Sequence, residues 1–107
     1  MNEFMKRAVE EAYIGMRSEA GGPFGAVIVQ DGKIIAIGHN EVIETNDPTA
    51  HAEIVAIRKA TKLLGRFDLS DCEIFSSCEP CPMCFSAIHW AKMKTLYFGA
   101  NRQDAAN

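Results

Sequence analysis

Between residues 3 and 18, apolar side chains recur at Met5, Ala8, Val9, Ala12, Tyr13 and Met16. That spacing predicts a helix with one buried stripe, stopped by Gly21-Gly22-Pro23. The pattern then changes period. Phe24-Gly25-Ala26-Val27-Ile28-Val29 and Ile34-Ile35-Ala36-Ile37-Gly38 are apolar runs on either side of Asp31-Gly32, which predicts a β-hairpin. Runs so continuously apolar belong to a sheet covered on both faces. A polar stretch, 39–49, follows. Asp47-Pro48-Thr49 then reads as the opening of a second helix with Ile54, Ile57, Ala60, Thr61 and Leu64 on one face and Gly65 as its stop. A short third strand over 72–76, a third helix from about Pro80–Pro82 to Lys92 and a fourth strand over 95–98 complete the order αββαβαβ. Strand–helix–strand connections after the hairpin predict parallel pairing and helices on both faces of one sheet, an α/β class.

Composition narrows the reading of this pattern. At 107 residues, with 48% hydrophobic and 23% charged residues, the chain is expected to form one globular domain. No apolar run is long enough to cross a bilayer, and the first residues lack the basic-then-apolar layout of a signal peptide, so a cytoplasmic protein without membrane contact is expected. In a reducing compartment its four cysteines read as metal ligands or buried thiols rather than disulfides. The net charge of −3, with no basic cluster longer than Lys6-Arg7 or Arg58-Lys59, argues against a nucleic-acid partner and suits a small neutral substrate.

The candidate chemistry lies in Pro80-Cys81-Pro82-Met83-Cys84 and His51-Ala52-Glu53. Cys81 and Cys84, three apart at a helix start, share a face, and His51 stands at the start of another helix. Unpaired N–H groups and the positive dipole ends at such starts favour thiolate over thiol. Two thiolates and one imidazole would make a three-ligand zinc site, which leaves a position for water, whereas structural zinc is closed by four residues. Such a donor set acidifies water less than three histidines would, so a nearby base becomes useful, and Glu53 is the candidate. Cys78-Glu79-Pro80-Cys81 is a second C-x-x-C; spacing alone also permits a closed site of His51, Cys78, Cys81 and Cys84, against which stands that it would leave Glu53 without work. Cys72, at a strand start, reads as a small core residue.

H-x-E followed by P-C-x-x-C is a signature of zinc deaminases acting on bases. With Pro23-Phe24-Gly25-Ala26-Val27, Gly38-His39-Asn40, Asp47-Pro48-Thr49-Ala50-His51-Ala52-Glu53 and Ser77-Cys78-Glu79-Pro80-Cys81-Pro82-Met83-Cys84, the chain resembles the cytidine deaminase superfamily, and within it the bacterial guanine deaminase branch. The resemblance implies a three-layer α-β-α cytidine deaminase-like fold whose mixed sheet starts with an antiparallel hairpin. It implies zinc on His51, Cys81 and Cys84, with Cys78 not a ligand, and Glu53 as the proton shuttle of a hydrolytic deamination. It implies that Asn40 and the Ala52 N–H contact the base, that Phe24 and Trp90 line the pocket, and that the chain forms a homodimer around the metal site. tRNA adenosine deaminases share these core motifs. The acidic balance and the run Gly99-Ala100-Asn101-Arg102-Gln103-Asp104-Ala105-Ala106 favour a free nucleobase, guanine, as the small-molecule substrate. A zinc-stabilised binding module is the non-enzymatic alternative. Family members continue past the position of Asn107 with a further strand and helices that close the pocket, so residues 1–107 are expected to be a deaminase domain without that segment.

Overall fold

The computed structural model describes residues 2–100; residues 101–106 of the C-terminal run noted above lie outside the described residues. The elements are α1 (Glu3–Arg17), β1 (Gly25–Gln30), β2 (Lys33–His39), α2 (Val42–Thr45), α3 (Ala52–Leu64), β3 (Cys72–Cys78), α4 (Pro82–Trp90) and β4 (Thr95–Ala100). Asn2 caps α1, its side chain accepting from the backbone N–H of Phe4 and Met5. The hairpin turns at Asp31 and Gly32, whose φ values of 50° and 75° match the twist of a two-residue turn. Gly65, at φ 68°, closes α3 in the left-handed conformation.

The four strands lie in the order β2-β1-β3-β4. β1 runs antiparallel to both β2 and β3, and β3 pairs parallel with β4. The predicted parallel pairing therefore holds for β3 and β4. The crossover through α3 instead strides over β1, so β2 and β3 run the same way without touching edge to edge. β1, apolar and buried from Gly25 to Val29, takes an interior position, and β2 with exposed Lys33 and Ile34 forms an edge.

Alternate residues of β1 serve the two faces, as a period of two requires. Val27 and Val29 pack with Met5, Ala8 and Phe75 under α1. Ala26 and Ile28 pack with Ala52, Ala56, Ile74 and Ile88 under α3 and α4. Three layers result, helix on sheet on helix. α3 sits so close to β2 that a Cβ at Gly38 would meet the Ala52 carbonyl oxygen at 2.7 Å and the Ala56 nitrogen at 2.8 Å. No helix among the described residues is long and apolar enough to cross a membrane.

Two expected boundaries differ. The polar stretch after β2 contains the single-turn helix α2, and α3 begins at Ala52, after the Asp47-Pro48-Thr49 segment. Asp47 Oδ1 accepts from both the Thr49 N–H (2.8 Å) and its hydroxyl (2.7 Å). That side-chain turn competes with helix for the same residues.

Candidate metal centre and active site

His51 is the N-cap of α3 and Cys81 the N-cap of α4, both in extended backbone conformation. The segment carrying His51 is tied down from several sides. Glu41 N–H donates to the Ala50 carbonyl (2.9 Å) and His51 N–H to the Thr49 carbonyl (2.7 Å). Arg58, from α3 itself, donates to the Thr49 hydroxyl at 3.2 Å and reaches Asp47 Oδ2 at 3.4 Å. Pro82 occupies the first turn of α4, where its missing N–H costs nothing, and Cys84 one turn in is fully buried.

The folded chain brings His51, Cys81 and Cys84 together, with one ligand atom from each within 4.8 Å of the others. Cys78 does not belong to this group. His51 Nδ1 is 3.6 Å from Cys81 Sγ and 3.5 Å from Cys84 Sγ. Zn–N bonds of ~2.0–2.1 Å and Zn–S bonds of ~2.3 Å in a tetrahedron place N and S about 3.6 Å apart, so the donor atoms already stand at the separation zinc demands. Burial pushes the Cys84 thiol far up, helped by the neighbouring Glu53 and Cys81. A cation among these donors reverses that balance, because a coordinating thiol is deprotonated outright. The residues present fit zinc.

Glu53 is only 6% exposed. Burial raises its carboxyl above the ordinary carboxylate range, although its own backbone N–H, the Ser76 hydroxyl and His51 pull the other way. Ser76 lies at 3.3 Å from Glu53 Oε2 and at 2.7 Å from the Cys78 carbonyl oxygen. Its single proton serves one of these acceptors at a time: donated to Glu53 it favours the charged carboxylate, and donated to the Cys78 carbonyl it leaves the hydroxyl oxygen to accept a hydrogen bond from a protonated Glu53. Ser76 was not among the expected site residues. Its signal in the sequence was a hydroxyl two residues after Ile74, on the face of β3 that packs under α3 and α4.

The remaining expected site residues are distributed unevenly. Ala52 is buried in the first turn of α3, where the helix offers its N–H no acceptor. Asn40 follows β2; its N–H donates to the Phe24 carbonyl (3.1 Å) and its Oδ1 accepts from the Val42 N–H (2.9 Å). Phe24 packs partly against the core under α3 and borders a cavity of about 340 Å³ with Tyr13, Met16 and Cys78. Trp90 stands apart from them. It is 80% exposed at the end of α4, about 9 Å along the helix axis from Cys84. Cys72 is buried in the core, as its position suggested, and its thiol is pushed up to about 11 by burial, then by Asp71.

Residues 1–100 match the cytidine and deoxycytidylate deaminase zinc-binding region. Guanine deaminase from Bacillus subtilis is 58% identical over 103 residues, 96% of this chain and 66% of that protein. A crystal structure of Bacillus subtilis guanine deaminase superposes with a TM-score of 0.95 at 57% identity, covering 99% of this chain and 69% of that one. The tRNA-specific adenosine deaminase of Agrobacterium fabrum is 46% identical over 98 residues, 91% of this chain and 63% of that protein. The chain thus spans about two thirds of the length of these curated relatives. With the match running through every described element and the donor atoms set at zinc spacing, the chain belongs to the cytidine and deoxycytidylate deaminase family with its zinc-binding region.

Proposed function

We propose that this chain is a zinc-dependent aminohydrolase that converts guanine and water to xanthine and ammonia. The observation that carries the reading is the buried carboxylate of Glu53 two residues beyond a three-donor metal centre. A closed structural site has no use for such a group, whereas a hydrolytic one does. The choice of guanine rests on the similarity to the Bacillus subtilis enzyme and on the chain's acidic balance.

In this proposal His51, Cys81 and Cys84 hold the ion. Zinc bound there supplies Lewis-acid activation of water. Glu53 takes a proton from the attacking water, delivers it to the ring nitrogen beside the amino-bearing carbon, and passes a second to the departing amine. Its burial next to the metal-ligating residues suits a group that must hold a proton between steps. Ser76 steadies the carboxyl in either state. Because Oδ1 of Asn40 is engaged by a backbone donor, its amide N–H₂ is the group offered to an acceptor on the base. The Ala52 N–H serves a second acceptor, and Phe24 supplies an apolar wall; Trp90, exposed at the far end of α4, is assigned to the subunit contact instead. Residues 1–107 act as one deaminase domain, cytoplasmic and homodimeric, with no membrane contact and no nucleic-acid partner.

Ammonia release by the zinc-loaded chain, measured with guanine, cytosine, cytidine, adenine and a tRNA anticodon stem-loop, tests the reading. Release from guanine alone or foremost is expected. Release from the stem-loop alone, with binding that weakens steeply as salt rises, would assign the chain to tRNA adenosine deamination.

A further inference from the structure

On the α1 face of the sheet, His39 ends β2 immediately before Asn40. Its Nδ1 lies 2.6 Å from Glu11 Oε2. Glu11 is 8% exposed, and its other oxygen holds Arg7 at 2.8 Å. A buried carboxylate is costly unless it is paired and hydrogen-bonded. Burial alone would raise Glu11, but hydrogen bonds from His39 and Arg7 outweigh it and hold the carboxyl below its ordinary value. α1 also makes room for the ring, because a Cβ at Gly15 would sit 2.6 Å from His39 Cγ. Arg7, Glu11 and Gly15 follow one another at intervals of four, on one face of the helix. Together they form a seat for one imidazole: a counter-charge, an acceptor and a gap.

An apolar ring would fill that gap without any buried acid. What the acid adds is a fixed direction for the imidazole, and so for the strand end that carries it. The next residue is confined on its other sides. Asn40 is held by Phe24 and Val42 through the bonds described above, and a Cβ at Gly21 would lie 2.1 Å from Asn40 Oδ1.

We propose that His39, seated on Glu11, is a positioning residue that aims the Asn40 amide at the acceptor edge of the base. The proposal rests on the reading of Asn40 as a base contact. Misplacement of a positioning group by about 1 Å can cost on the order of 10²-fold in rate, so a clamp one residue away has leverage.

The test has a structural arm and a kinetic arm, both on the full zinc-loaded chain. In His39→Phe, which fills the Gly15 gap without the hydrogen bond, the Asn40 side-chain amide resonances of the substrate-free protein should shift and Val42 amide exchange should quicken. Zinc content should be unchanged. Glu11→Gln with His39 intact, which keeps an acceptor for the imidazole, should retain near-native signals. KM for guanine should rise about tenfold or more in His39→Phe while kcat moves little, within the leverage just given. In an Asn40→Ala background the same substitution should add nothing, the non-additivity expected of residues acting as a unit. Should His39→Phe not fold, Glu11→Leu, which removes the acceptor and keeps the ring, repeats both arms. Unmoved Asn40 and Val42 signals, or KM effects that simply add, would overturn the proposal and leave His39 a packing residue. If the unsubstituted chain does not turn over guanine, the proposed function fails, and the resonance arm still decides the positioning role.

Discussion

Glu53 is the residue on which chemistry and burial meet. A carboxyl this buried, facing a hydroxyl and next to two thiols and an imidazole, is costly to keep charged. The proposed role accounts for its presence there. Glu53→Gln should therefore retain zinc and fold, because the amide fills the same space, while turnover falls beyond the ~10²–10⁴-fold usual for one acid–base group, since one carboxyl serves several steps. Zinc analysis alongside the ammonia assay checks both halves, and substantial residual turnover would transfer the role to another base. The cysteines divide by surroundings in the same way. Cys78→Ala should keep its zinc and Cys81→Ala should lose it, as measured by elemental analysis of the purified variants; equal loss in both would favour the four-ligand site that spacing alone left open. Much of this was legible at residue level because helix starts, a C-x-x-C pair and an H-x-E step have direct chemical meaning. Ser76 and the Glu11–His39 pair were not. Partners separated by 23 and 28 positions leave no local periodicity to read.

At the level of elements, the hairpin, the two long helices and the short α4 follow from periodicity and turn residues, each of which acts within a few positions. Asp31-Gly32 turned as its composition required. The start of α3 did not, because Asp47-Pro48-Thr49 satisfies its own backbone through a side-chain turn while resembling a helix cap in composition. Strand order was also beyond reach, since alternation says which face a residue serves but not which strand lies beside it. The close seat of α3 on β2 is the element-level contact with the most consequence for the site. A methyl at Gly38 would strike backbone atoms of Ala52 and Ala56, which cannot swing aside as a flexible side chain would. Gly38→Ala should thus lift the helix that begins next to His51. Overpacking of this kind costs roughly 1–3 kcal/mol, on the order of 4–20 °C in Tm for a domain of this size. Zinc affinity should weaken with it, because the displaced turn carries one of the three donors. Thermal unfolding of the zinc-loaded variant and a chelator competition measure the two effects; a native Tm would mean that α3 rides on β2 less tightly than these distances imply.

At the scale of the whole molecule, the question is what covers the apolar side chains that one copy leaves exposed. Among the large apolar side chains near element ends, Met93 is buried, whereas Met16, Trp90 and Phe98 remain exposed. Tyr97 stacks on Phe75 at 4.6 Å on the α1 side, so Phe98, its neighbour in β4, turns to the side of α4, where Phe85 is 58% and Trp90 80% exposed. α4 buries only Cys84 and Ile88 fully within its own chain, although Phe85-Ser86-Ala87-Ile88-His89-Trp90-Ala91 is largely apolar. The helix meets its own sheet with one face and offers aromatic rings on another. Exposed rings of this size suit a partner surface, and aromatic anchors of this kind dominate interface energies. The proposed homodimer would use this corner, which also places the partner close to the metal-bearing start of α4. Sedimentation equilibrium at micromolar concentration should then report a dimer. Trp90→Ser should weaken it by about 2 kcal/mol or more, as for an interface hot spot, or roughly 30-fold in the dissociation constant, with zinc content and secondary structure unchanged. A folded, zinc-loaded monomer at that concentration would remove the dimer from the proposal, and a dimer indifferent to Trp90→Ser would move its interface to another face.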